Sequence, residues 1–171
     1  MKSARRVGEK LGQGGPGFLV DSTVERLARR LRFLGFDAVL DRSESTARLL
    51  VRARSEGRLL LTRRRAARGS EVAVAVFLES DNVTAQLRQV LAHCGCDAES
   101  APRCTVCNEE LVAVSRSHAD GRVPEFVFRS QREFAFCPDC DRYYWKGTHW
   151  RQVQWTRTFL GSEEESSDRE S

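Results

Sequence analysis

Residues 18–35, FLVDSTVERLARRLRFLG, constrain the fold of this chain more than any other stretch. Phe18, Leu19 and Val20 form a short apolar run of the kind found in strands buried on both faces, and Asp21 stands where the run stops. Ser22 then opens a helix, with a hydroxyl placed to cap the first turn and Glu25 placed to reach back to the Ser22 amide. Val24, Leu27, Ala28, Leu31 and Leu34 recur at helical spacing, Arg26, Arg29, Arg30 and Arg32 lie away from the centre of that face, and Gly35 ends the helix. Strand, acid, helix is how an open α/β sheet begins. A polar residue at the carboxyl end of such a strand sits where these folds bind ligands, which makes Asp21 the first candidate site residue.

The unit is repeated downstream. Ala38, Val39 and Leu40 form a second strand ending at Asp41, and Ser43 is placed to cap a helix that runs to about Glu56 and stops at Gly57. Residues 58–62, RLLLT, predict a third strand followed by a basic turn, RRRAARG. Residues 71–78, EVAVAVFL, predict a fourth, after which Asp81 or Asn82 caps a helix carrying Val83, Leu87, Val90 and Leu91 on one side. The order is that of an α/β fold, a parallel sheet flanked by helices. Such connections put all strand carboxyl ends on one edge, so Asp21, Asp41, the segment 62–64, Glu79 and Asp81 are expected to gather there.

Near Ala101 and Pro102 the pattern changes to short strands, turns and paired cysteines. The expected organisation is a flexible leader over 1–17, the α/β domain over 18–100, a small β-rich zinc module over 101–160, with one strand over 123–128, and a disordered acidic tail over 161–171. Cys104 with Cys107 and Cys137 with Cys140 form two C-x-x-C pairs, each on a tight turn before a hairpin strand. Two facing pairs fit tetrahedral Zn²⁺, closed by four thiolates and therefore structural, better than a redox dithiol. Cys94 and Cys96 read as ordinary thiols at a helix end. Tyr143, Tyr144, Trp145 and Trp150 read as the core of the small module or its contact with the larger domain rather than as a base-stacking platform, and His149 as a structural histidine.

No apolar stretch approaches the length of a membrane span and the start of the chain lacks the hydrophobic segment of a signal peptide, so a cytoplasmic protein is expected. Arginines cluster over 26–32, 52–58 and 63–68. They make a polyanion such as RNA a reasonable partner, with solvated helix faces as the competing explanation.

Both halves together resemble the Mut-seven C-terminal ribonuclease family, whose members join a PIN-type nuclease domain to a zinc ribbon. The resemblance rests on FLVDSTVERLARRLRFLGFDAVL, EGRLLLTR, the pair Gln86 and Leu87, RCTVCNEEL, VPEFV and CPDCDRYYWKGTHW. It implies a PIN-like fold and cleavage of RNA with Mg²⁺ or Mn²⁺ held by acids at strand ends. Asp21 matches the first of these acids. Two others fall on different residues: Thr46, with Arg48 near it, and Arg64, which stands where the family carries the aspartate of LLTRD. Asp41, Glu44, Glu79 and Asp81 are the other acids at the carboxyl edge; in a ribonuclease Asp41 or Glu44, with Asp81, would assist Asp21, and Arg63 or Arg64 would bind phosphate. The alternative is a catalytically inactive RNA-binding or ribosome-associated module whose arginines fill the metal pocket. A zinc-dependent protein-interaction module would leave the arginines and the gathered acids unexplained.

Overall fold

The structure, a computed structural model, describes residues 16–68, 74–95 and 101–145. Most of the expected leader, the first residues of the fourth strand, Cys96, His149, Trp150 and the acidic tail lie outside the described residues. The chain divides into two compact units, Met1–Ser100 and Ala101–Ser171.

The first unit follows the repeated strand-helix pattern. Strands β1 (Phe18–Asp21), β2 (Ala38–Asp41), β3 (Leu59–Thr62) and β4 (Ala75–Phe77) form one sheet in the order β2-β1-β3-β4, with every pairing parallel. Leu19, Leu60 and Ala75 project to one face, where Leu49 and Ala53 of helix α2 (Thr46–Glu56) close the core. Alternation along the strands sends Phe18, Val20 and Leu61 to the other face. All three are fully buried, and helices α1 (Glu25–Phe33) and α3 (Val83–Cys94) lie in contact with each other. At about 25 cal/mol per Å² of apolar surface, each such side chain contributes roughly 1.5–3 kcal/mol. Burying the sheet on both faces requires apolar residues at consecutive positions, which is why β1 and β3 read as unbroken runs.

The helix boundaries differ in detail from expectation. Ser22 does not cap the first helix: residues Ser22–Val24 make a 3₁₀ turn capped by Asp21 in an extended conformation (φ −72°, ψ 151°), and α1 follows it with Val24 at its N-cap and no side-chain cap. Ser45, not Ser43, caps α2: Ser45 Oγ accepts from the Arg48 amide, while Ser43 donates its amide to Asp41 at 2.7 Å and its hydroxyl accepts from the Ser45 amide. Asn82 caps α3 by accepting from the amides of Thr84 and Ala85. Arg32 is buried rather than turned away, its Nε donating to the Ala38 carbonyl at 2.8 Å. Gly57 takes the left-handed conformation (φ 63°) that ends α2 and lets the Arg58 amide reach back to the Ala53 carbonyl.

The second unit is a three-stranded antiparallel sheet, β5 (Val112–Val114), β6 (Phe134–Cys137) and β7 (Arg142–Trp145), in that order. Two short helices, α4 (Arg116–Ala119) and α5 (Glu125–Ser130), interrupt it between β5 and β6. The strand expected over 123–128 is therefore corrected to helix. Pro124 holds the N-cap position (φ −55°), Glu25's counterpart in the first turn is Glu125, and Arg129 pairs with Glu125 one turn later. Val127, the one fully buried residue of α5, packs with Ala119 and Phe134.

Candidate functional site

The chain runs outward from β1 to β2, then crosses to β3 on the opposite side of β1. That reversal places the topological switch point between the carboxyl ends of β1 and β3, where α/β sheets open a crevice. Asp21 and Thr62 are the residues at that point. Both are fully buried.

Asp21 is held by donors from three segments. Oδ1 accepts from Ser22 Oγ (3.1 Å), the Thr23 amide (3.4 Å) and Arg64 Nη2 (2.9 Å). Oδ2 accepts from Thr23 Oγ1 (2.9 Å) and Thr62 Oγ1 (2.5 Å). The two threonine hydroxyls also accept from the turn after β3: Thr62 Oγ1 from the Arg64 amide (3.0 Å) and Thr23 Oγ1 from the Arg63 amide (3.2 Å). Burial raises the Asp21 pKa. The hydrogen bonds from Thr62, Thr23 and Arg64 and the Arg64 charge outweigh it, so the carboxyl lies below its usual value and is ionised at neutral pH.

Arg64 ties this carboxylate to the loop after β2. Nη2 donates to the Ser43 carbonyl at 2.9 Å and lies 3.4 Å from Ser22 Oγ, while Nη1 donates to the Glu44 carbonyl. The Arg63 side chain makes no hydrogen bond or ion pair among the described residues, and Arg65, exposed, is in the same state. Asp41, the register partner of Asp21, faces Arg52 at 2.6 Å, and the Arg52 and Ser43 bonds hold its carboxyl below the usual range. Glu44 and Asp81 are exposed. Glu79, also exposed, lies 3.8 Å from Arg68. An open groove of about 660 Å³ runs between the starts of α1 and α3, lined by Ser22, Thr23, Glu25, Arg29, Asp81 and Gln86 among others. Thus Asp21, Arg64 and the Glu44 backbone meet at one point, Asp41 is engaged beside it, and Asp81 lies along the groove.

A hard divalent cation such as Mg²⁺ or Mn²⁺ needs oxygen ligands from several groups, with water completing the shell. As arranged here these residues do not fit one. Five donors already occupy the Asp21 oxygens, one of them a guanidinium. Among the described residues the four cysteines are the only convergent set of three or more metal-ligating side chains.

That set does fit a metal. The Sγ atoms of Cys104, Cys107, Cys137 and Cys140 lie within 4.8 Å of one another, with Cys107 to Cys137 at 3.4 Å and Cys104 to Cys140 at 3.9 Å. Zn–S bonds of about 2.3 Å in a tetrahedron give S···S edges of roughly 3.8 Å, so four thiolates so placed could hold zinc. Each C-x-x-C turn ends in a residue with positive φ, Asn108 (78°) and Asp141 (51°), residue types that tolerate this conformation. Cys104 and Cys137 are buried. Burial raises the Cys104 pKa, but the Cys107 amide and the Tyr144 hydroxyl, 3.0 Å from its sulfur, help bring it down to about 6. The Cys107 sulfur, burial and the neighbouring Cys104 push Cys140 up to about 12. The set thus ionises readily at one sulfur, and a bound cation would favour ionisation of the others.

Sequence reasoning identified Asp21, the segment 62–64 beside it and the cysteines, but not the hydroxyls that hold the carboxylate and the sulfur. Thr23 and Thr62 carry no signal beyond being small hydroxyl residues at strand ends. Tyr144, read as mini-core, supports the Cys104 sulfur instead; only its place two residues into the strand after Asp141 hints at this. On the small module, Tyr143 Oη lies 3.0 Å from His118 Nδ1 and accepts from Arg122 at 3.3 Å, a cluster that no motif announced.

Searches of curated proteins and of solved structures returned no significant match. The family model described as the Mut7-C RNAse domain matches residues 16–156, spanning both the parallel sheet with Asp21 at its edge and the four-cysteine cluster. The chain belongs to the Mut7-C RNAse domain family.

Proposed function

We propose that this protein binds RNA along the carboxyl edge of its parallel sheet, as a ribonuclease-type module stabilised by a structural zinc ion in its second unit. The observation that carries the reading is the basic turn Arg63, Arg64, Arg65, which lies at the switch point of a ribonuclease-family fold with Arg64 fixed on Asp21. Arg63 and Arg65 meet no acidic group among the described residues, so they are available to phosphates. Helix α2, in contact with the turn after β3, adds the exposed Arg48 and Arg54. Zinc held by Cys104, Cys107, Cys137 and Cys140 would stabilise a unit with a small apolar core, and a reducing cytoplasm would keep those thiols available.

Divalent-metal-dependent hydrolysis of RNA is the second reading, favoured by family membership and by an ionised Asp21 beside an open groove. It requires Arg64 to leave Asp21, and further carboxylates from Asp41, Glu44 or Asp81 to converge there. The bonds described above favour binding without cleavage. Anisotropy titrations with labelled single-stranded and structured RNA, with Mn²⁺ or with EDTA, test both readings on wild type, Asp21→Asn and the double variant Arg63→Ala/Arg65→Ala. Expected are salt-dependent binding weakened in the double variant and intact RNA afterwards. Absence of binding at low salt would refute the first reading; cleavage with Mn²⁺ that Asp21→Asn abolishes would establish the second.

A further inference from the structure

We infer that the Arg64 guanidinium is the resident cation of the Asp21 centre: it takes up the oxygen donors a divalent ion would need, so the centre takes neither Mg²⁺ nor Mn²⁺. The donor set around it is what a hard cation selects, all oxygen and drawn from separate segments: the Asp21 carboxylate, the carbonyls of Ser43 and Glu44, and Ser22 Oγ. A planar guanidinium with five N–H donors can serve several of these acceptors at once, and the chain tethers it. The tether is short and braced. Arg64 follows β3 by two residues, and its amide is fixed by Thr62 Oγ1, the same hydroxyl that donates to Asp21.

Burial makes the pairing hard to exchange. Asp21 is fully buried and the Arg64 side chain is 18% exposed, whereas the neighbouring Arg52 and Asp41 pair is 39% and 15% exposed. An incoming metal would have to displace a positive charge that is already compensated, strip Asp21 of other donors and recruit carboxylates now engaged or exposed. Replacing Arg64 by a carboxylate reverses the first and the last of these obstacles. It removes the positive charge, relieves Asp21 Oδ1 of the guanidinium, releases the two carbonyls, and adds a carboxylate to the turn after β3.

The test is a Mn²⁺ titration followed by electron paramagnetic resonance on the zinc-loaded full chain without RNA, comparing wild type with Asp21→Asn, Arg64→Asp, Arg64→Gln and the double variant Asp21→Asn/Arg64→Asp. Wild type is expected to show no Mn²⁺ site sensitive to Asp21→Asn. Arg64→Asp is expected to bind one Mn²⁺ at least about tenfold more tightly than wild type, a gain lost in the double variant. A Mn²⁺ site in wild type that Asp21→Asn removes would overturn the inference, and so would a folded Arg64→Asp that gains none. Should Arg64→Asp fail to fold, Arg64→Gln, which loses the charge and keeps much of the side chain, decides: a gain supports the inference and no gain overturns it. For the proposed RNA function the inference adds that binding is insensitive to EDTA at the Asp21 centre, a consequence that rests on that reading. Failure to bind RNA would remove the functional reading and leave the Mn²⁺ result to judge Arg64 alone.

Discussion

Thr62→Val removes one oxygen and nearly preserves volume, so it isolates the hydroxyl that joins β3 to the buried acid. In the native centre this hydroxyl donates to Asp21 Oδ2 at 2.5 Å and accepts from the Arg64 amide at 3.0 Å, with Thr62 and Asp21 both fully buried. A hydrogen bond to a charged group contributes about 1.5–3 kcal/mol, and here the loss also leaves the Arg64 amide without its acceptor, which places the cost in the upper half of that range. Thr62→Ser keeps the hydroxyl and should cost less than about 1.5 kcal/mol, the loss of one buried methyl group. Urea unfolding of the zinc-loaded chain at neutral pH, followed by far-UV circular dichroism, supplies the measurement. The difference should shrink in acid, because protonating Asp21 removes the charge that makes the bond strong. A cost for Thr62→Val within about 0.5 kcal/mol, the scale of an ordinary surface substitution, would refute the account of a carboxylate stabilised by its buried donors.

Asp21 also sets an expected pH dependence. Its folded pKa lies below the ordinary aspartate value, so the stabilisation is fully present above that ordinary value and is lost as pH falls through the folded pKa. Acid unfolding monitored by circular dichroism should therefore show a limb below about pH 4 that Asp21→Asn flattens. Leu60→Ala empties a fully buried position on β3 in the core closed by Leu49 and Ala53 of α2 and should cost about 2–5 kcal/mol by urea titration. Asn82→Ala leaves the Thr84 and Ala85 amides without their acceptor and should cost about 1 kcal/mol in the same assay. Zinc analysis of purified protein should find about one equivalent, and chelation or Cys137→Ser should abolish the near-ultraviolet signal of Tyr143, Tyr144 and Trp145. Much less than one equivalent, with that signal unchanged by chelator, would refute the zinc assignment.

What could be read from the chain was local. The runs ending at Asp21 and Thr62 specify strands buried on both faces, the run ending at Asp41 a half-buried edge strand, Gly57 specifies where α2 stops, and two C-x-x-C turns followed by residues that tolerate positive φ specify a metal knuckle. Neighbours in sequence fix these features, so pattern and spacing suffice. Reading 123–128 as a strand shows the limit: a short apolar segment satisfies either period, and Pro124, the pair of Glu125 and Arg129, and packing of Val127 under Phe134 made it a helix.

Only tertiary structure decided what Asp21 does. The sequence placed it at a strand end and placed Arg64 in the basic turn after the third strand. It did not say whether that arginine turns to solvent or inward. Forty-three residues separate the two, and their meeting depends on β1 and β3 becoming neighbours after the chain crosses the sheet. Once Thr62 and Arg64 are brought to the same edge, burial of an ionised carboxylate demands a counter-charge, and the nearest one is covalently tethered. Strand order, rather than composition, turned an acidic position into an arginine-filled one.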